Sequence, residues 1–157
     1  MPRSRVHVFE AKLWSHASIT RHRKIEIYSA MVRSKVLHSL ESLWILKADM
    51  KRLDAFHARC LRKILRIPSS YISRISNSEV LTIAGQTLLS ESLRQRQVQL
   101  YTKIWKEAGD GTQNSLIQKL VCNKSGEPVS WNLNRGRGRP RQQWNQSVYK
   151  LLQKPEE

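Results

Sequence analysis

The sequence predicts an all-α fold: a small bundle of about five helices followed by a flexible basic C-terminal segment. Three observations carry that expectation. Apolar residues recur three and four positions apart through two long stretches around residues 25–43 and 50–65. Helix start and stop residues bracket the shorter apolar stretches, above all Ser76 with Glu79 and then Gly85. No apolar–polar alternation lasts long enough to make a strand, and no internal repeat is present.

Residues 3–17 are consistent with a short helix that places Val6, Phe9, Leu13 and Trp14 on one side. Ser18 or Thr20 is suited to cap the next helix. In that helix Ile25, Tyr28, Met31 or Val32, Val36, Leu40 and Leu43 keep a helical period to about residue 43. Asp49 is the expected N-cap of a second long helix. Its apolar face holds Met50, Leu53, Phe56 or His57, Cys60, Leu61, Ile64 and Leu65, and Pro68 ends it.

The stretch SSYISRIS reads as a polar connector. A capping box at Ser76 and Glu79 then opens a short helix with Val80, Leu81, Ile83 and Ala84, closed by Gly85. Ser90 opens a further helix with Leu93, Gln97, Leu100, Ile104 and Trp105 inward and Gly109 as its stop. Residues 115–121 add a turn or two. From about Asn123 to Gly138 the composition turns to Gly, Ser, Asn, Pro and Arg, as in a linker. A last amphipathic stretch brings together Trp144, Val148 and Leu151 or Leu152, with Pro140 at a tolerated first-turn position. The organisation expected is a helical region over 1–121, a flexible linker over 122–138, and a basic tail with a short helix over 139–157.

Composition narrows the partners. The 157 residues include 28 Lys+Arg against 12 Asp+Glu, a formal net charge of +16. Such an excess repels itself in a compact chain and is most simply balanced by a polyanion, of which nucleic acid is the commonest. The cations recur in three groups: Arg21, Arg23, Lys24, Arg33 and Lys35; then Lys51, Arg52, Arg59, Arg62, Lys63 and Arg66; then Arg135, Arg137, Arg139 and Arg141. The last two groups are the expected phosphate-contacting residues, the third through glycines that let the backbone approach a groove.

No apolar run approaches the length needed to cross a bilayer, and the N-terminus lacks the pattern of a secretory signal. With only two cysteines, Cys60 and Cys122, no disulfide framework is expected, and a nuclear or cytoplasmic setting fits better than secretion. No membrane partner and no cofactor are expected.

Catalytic constellations are missing. Gly109 and Gly111 are not followed by the Lys-Ser/Thr of a phosphate loop, and Gly136 and Gly138 follow no strand. Asp49 and Asp54 point to different faces of one helix, a poor arrangement for two metal ions. His57 and Cys60, three apart, share a helix face and could supply two zinc ligands; a third would have to come from Cys122 or His38. A small buried thiol beside a core-bordering histidine is the better reading. No catalytic and no metal residues are assigned.

Three stretches carry a family resemblance. IEIYSAMVRSKVLHSLESLWILKADMKRLDAFHARCLRKILRI resembles the segment just beyond the polymerase domain of non-LTR (LINE-like) retrotransposon reverse transcriptases. RISNSEVLTIAG is similar to the stretch that follows it there. GRGRPRQQW resembles the G-R-P-[RK]-x-x-W tail near the end of many such reading frames. The resemblance spans roughly residues 9–105 and 136–148, and the order and spacing of the three pieces make it more specific than any one. Departures are visible: His38 and Ser39 replace the usual Tyr-Gly pair, Leu43 is an extra residue before Trp44, and the A-D-D palm motif is absent.

The resemblance implies a thumb-like helical region that grips template–primer or element RNA, without the catalytic palm of an RNA-directed DNA polymerase. Lys51, Arg52, Arg59, Arg62, Lys63 and Arg66 would touch the backbone; Leu53, Phe56, Cys60, Leu61 and Ile64 would pack the thumb. The expected partners are RNA or DNA and a separately encoded palm domain. The alternative is a helical protein–protein interaction domain derived from a retroelement, with Trp14, Trp44 and Trp105 as exposed contact residues, or a non-functional truncated remnant.

Overall fold

The computed structural model describes residues 13–14, 16–38, 40–107, 116–130 and 143–153. The fold is all-α, and among the described residues there is no β-strand. The chain divides into two compact units. One comprises Met1–His38 with Lys47–Ser90, the other Ser39–Leu46 with Glu91–Glu157. That division cuts across the helical region expected over 1–121.

The first unit opens with α1 (Arg21–Tyr28), whose N-cap is Thr20; its hydroxyl accepts from the Arg23 amide at 3.3 Å. One continuous helix to about residue 43 does not form. A π turn, Ser29–Arg33, follows α1 and leads into the short α2 (Ser34–Leu37). The Ser34 amide donates five residues back, to the Ser29 carbonyl, and the Ser34 hydroxyl takes up the Ala30 carbonyl that the skipped bond leaves. The extra residue in this turn retards the inward face. Leu37 is therefore buried while Val36 is half-buried and Met31 exposed. His38 turns extended, and Leu40–Ser42, in the second unit, forms a 3-10 turn.

The long helix α3 (Lys47–Leu65) begins two residues before the expected cap. Asp49 lies in its first turn, where a carboxylate complements the helix dipole, and accepts from Arg52 at 3.0 Å. Met50, His57, Ala58, Leu61, Ile64 and Leu65 are buried, close to the expected face. The helix ends before Pro68 is reached. Arg66 adopts a left-handed φ of 59°, its amide donating to Lys63 O and that of Ile67 to Arg62 O. That is a Schellman ending, built on an arginine instead of a glycine.

Beyond it, the expected connector contains a helical turn, α4 (Ser70–Ser73). The capping box forms as expected: the Ser76 amide donates to Glu79 Oε2 at 2.6 Å, and the Glu79 amide to Ser76 Oγ at 3.2 Å. It opens α5 (Asn77–Ala84), closed by Gly85 at φ 60°. Val80, Leu81 and Ala84 are buried and Ile83 is exposed. Both α1 and α5 pack on α3, around a core of Trp14, Tyr28, Leu61, Ile64, Leu65, Val80, Leu81 and Ala84. The expected helix over 3–17 otherwise falls outside the described residues. Trp14 is held from below: Lys24, itself buried, donates to the carbonyls of Trp14 and His16, both at 2.8 Å.

The helix α6 (Leu89–Glu107) starts in the first unit, where the Ser90 amide donates to Asp54 Oδ1 at 2.9 Å. Most of it belongs to the second unit. There Tyr101 is the buried aromatic, while Trp105, expected inward, is exposed on one side. Gln97, fully buried, donates to the Leu43 carbonyl at 2.7 Å. Gly109 lies outside the described residues.

The next elements are α7 (Leu116–Val121) and α8 (Trp144–Leu152), and of the expected linker residues 122–130 are described. Residues 122–130 fold back as a turn: the Asn123 amide donates to Glu127 O and that of Val129 to Val121 O. Asn145 of α8 pins both sides, donating to Val121 O at 3.0 Å and Val129 O at 2.8 Å. Tyr101, Cys122 and Val148 form the buried core, with Trp144 and Tyr149 against Tyr101. Pro140 lies outside the described residues, and α8 begins at Trp144, with Gln143 as its N-cap.

Candidate nucleic-acid interface

The cationic residues of α3 separate by helix geometry into two kinds. Arg52, Arg59 and Lys63 are exposed and stand seven and eleven positions along the helix from the first, about two and three turns. They therefore form one stripe roughly 16 Å long on the face opposite Leu61 and Ile64. Lys51 is exposed on its flank, and Arg66 is exposed just past the helix end. Arg52 shares its charge with Asp49, but an exposed pair of this kind is weak and gives way to a phosphate at little cost.

Arg62 does not join them. It is 8 % exposed, and its guanidinium is turned inward as a bracket between the end of α3 and the start of α5. Nε and Nη2 donate to Asn77 Oδ1 at 3.3 and 3.2 Å, Nη1 to Pro68 O at 3.0 Å and Ser73 Oγ at 3.4 Å, and Nη2 to Ile75 O at 2.5 Å. A planar fork can serve several neutral acceptors at once, which is how a buried cation without a carboxylate partner in this set is satisfied. Its place among expected phosphate contacts is corrected: Arg62 is a structural residue. A sequence signal existed. Ala58, Arg62 and Leu65, spaced four and three, share a helix edge, and both apolar members are buried.

Arg135, Arg137, Arg139 and Arg141 lie outside the described residues. Of the first cationic group, Arg21, Arg23 and Lys35 are exposed, Arg23 pairing with Glu26 at 2.7 Å. Lys24 is buried as described, and half-buried Arg33 donates to Gln86 Oε1 at 2.9 Å.

Among the described residues no three His, Cys, Asp or Glu side chains come together as a metal-ligand group. His57 is instead fully buried, with Nδ1 2.7 Å from the Tyr28 hydroxyl and the two rings stacked 5.5 Å apart. Its Nε2 is buried without a hydrogen-bond partner. Burial, reinforced by the Arg33 cation, holds the imidazole pKa below its ordinary value; the Thr87 backbone and Asp54 oppose the shift more weakly.

On acidification the unfolded chain takes up a proton at His57 near pH 6.5, before the folded chain does, so stability is complete above that pH and declines below it. Urea midpoints are expected to fall between pH 7.5 and 5.5. His57→Gln should flatten that decline; an unchanged slope would assign it elsewhere.

The exposed-tryptophan pattern required by a protein-interaction domain is not seen in full. Trp14 is buried and Trp44 half-buried, leaving Trp105 exposed. No described helix is long and apolar enough to cross a membrane. No family model, no curated protein and no solved structure matches this chain.

Proposed function

We propose that this chain is a nucleic-acid-binding helical module that holds the phosphate backbone of RNA or DNA along the exposed stripe of α3. The reading takes its family setting from the resemblance of residues 25–67, 74–85 and 136–144 to the region beyond the polymerase domain of non-LTR reverse transcriptases. It assigns the chain no polymerase chemistry of its own. The observation that carries it is the collinear exposure of Arg52, Arg59 and Lys63 on one stable helix, flanked by Lys51 and Arg66, in a chain of net charge +16. Phosphate contacts of this kind give affinity and position without base readout.

The test is the salt dependence of binding to a labelled duplex. With five phosphate contacts, affinity should fall about five-hundredfold between roughly 50 and 200 mM salt, since each contact releases condensed counterions. Combining Arg52→Ala, Arg59→Ala and Lys63→Ala should flatten the log–log slope by about 2 to 3 while leaving the helical circular dichroism intact. A binding constant indifferent to salt, or to the triple substitution, would refute the assignment.

A further inference from the structure

Between α3 and α5 the chain makes a small protrusion whose construction is inverted relative to an ordinary surface loop. Several of its backbone carbonyls and the Ser73 hydroxyl are satisfied within the loop or by Arg62. The Arg62 guanidinium holds the carbonyls of Pro68 and Ile75, and Ser73 Oγ donates to Pro68 O at 3.3 Å and Ser69 O at 3.1 Å. The amides of Ile72, Ser73 and Arg74 close onto Ser69 and Ser70. The side chains this frame presents outward are apolar: Tyr71 is 86 % exposed and Ile72 71 %. A connector held this firmly, with a tyrosine ring standing in water, costs apolar exposure that Ser or Asn at the same position would avoid. Cations surround it in sequence. Arg66 precedes α4 and Arg74 follows it, both exposed and both in the left-handed conformation, and Lys63 lies on the adjoining last turn of α3.

We propose that Tyr71 is a stacking platform for an unpaired nucleobase, with Arg66 and Arg74 taking the phosphates on either side of it. An exposed aromatic with exposed arginines on either side of it in sequence is complementary to a strand that alternates π-faces and negative charge. The hydrogen-bonded backbone that carries Tyr71 lowers the ordering cost of binding there. In sequence the platform at Ser70–Ser73 follows directly on the cationic end of α3 at Lys63 and Arg66, so the preferred ligand is a single-stranded segment or the unpaired end of a duplex. This inference rests on the phosphate-binding reading above and names the ligand class of its end.

The test compares a thymidine oligonucleotide and a uridine oligonucleotide with a blunt duplex of the same length, by fluorescence anisotropy with the full chain. Tyr71→Ala should weaken both single strands about tenfold, leave the blunt duplex unchanged, and leave the melting temperature unchanged because the ring is exposed. Tyr71→Phe should restore single-strand affinity, since the ring and not the hydroxyl stacks. Arg59→Ala should weaken every probe. If Tyr71→Ala binds single strands as the parent does, or weakens duplex and single strand alike, the platform is refuted while the phosphate-binding reading stands. If the parent chain binds no probe, or binds without salt dependence, both fail. Loss of a protein partner on Tyr71→Ala with single-strand affinity unchanged would place the residue in a protein interface and also overturn the proposal.

Discussion

Replacing Arg62 by alanine should destabilise the first unit by about 3 kcal/mol. The substitution removes five hydrogen bonds from one buried guanidinium. It leaves the carbonyl of half-buried Ile75 without this donor, at a cost of about 1–3 kcal/mol, adds the lost packing of the buried Arg62 stem, and frees Asn77, an exposed residue, to turn its Oδ1 to water. Pro68 O keeps one donor, the Ser73 hydroxyl, and so contributes less. Against a total stability on the order of 5–15 kcal/mol, the urea midpoint should drop substantially. Arg62→Lys should recover only part of the loss, because an ammonium cannot span acceptors that a planar fork reaches together. The same pair separates structure from binding. Where enough Arg62→Lys remains folded, its salt slope on duplex should match the parent, since residue 62 is not on the exposed stripe. A parental urea midpoint for Arg62→Ala would show that the bracket does not hold α3 to α5.

Gly126→Ala should cost the second unit about 2–4 kcal/mol. Two effects add. The backbone at Gly126 has φ 81°, where a side chain meets steric resistance worth about 1–2 kcal/mol. A Cβ there would also stand 2.7 Å from Trp105 Cε2 and 2.9 Å from Nε1, well inside contact distance. Relieving that overlap costs about 1–3 kcal/mol, the lower end if the partly exposed Trp105 ring swings away. The turn has little freedom to yield, because the Gly126 carbonyl accepts from the buried Tyr101 hydroxyl at 2.9 Å and the Gly126 amide donates to Asn123 O. Gly85→Ala is the matched comparison. It has a similar left-handed backbone, φ 60°, but open space around the added carbon, so it should show the backbone cost alone. Equal losses at the two glycines, read from denaturant midpoints, would dismiss the Trp105 contact. A shift in tryptophan emission confined to Gly126→Ala would support it.

Features that arise from neighbours in sequence were legible without a structure. The capping box of Ser76 and Glu79, the closing Gly85 and the amphipathic face of α3 all form as their spacing requires, because each depends on residues within one or two helical turns. The π turn was not legible. Ser34 is compatible with an ordinary helix, and only the inward demand on Leu37 makes the extra residue visible. The 122–130 turn was masked by its composition. Gly, Ser, Asn and Pro suggest a linker, whereas the Asn145 amide, supplied from α8, turns the same residues into a fixed element. In the candidate interface, exposure of Arg52, Arg59 and Lys63 could be read from their helical spacing, and the inward turn of Arg62 could be suspected from its place between Ala58 and Leu65. Tyr71 carried no signal, since an aromatic in a short connector is as compatible with a core contact as with the surface.

The sequence by itself determined the helical class, the position of α3 and the excess of positive charge along it, because periodicity, capping and charge are local properties. Only the tertiary structure decided which of those charges face solvent. An acceptor set contributed by Pro68, Ser73, Ile75 and Asn77 draws Arg62 inward, and the frame so made turns Tyr71 outward. Those partners lie six to fifteen residues away from Arg62, beyond the reach of helical spacing, and they converge on one guanidinium only once the chain has turned back on α3.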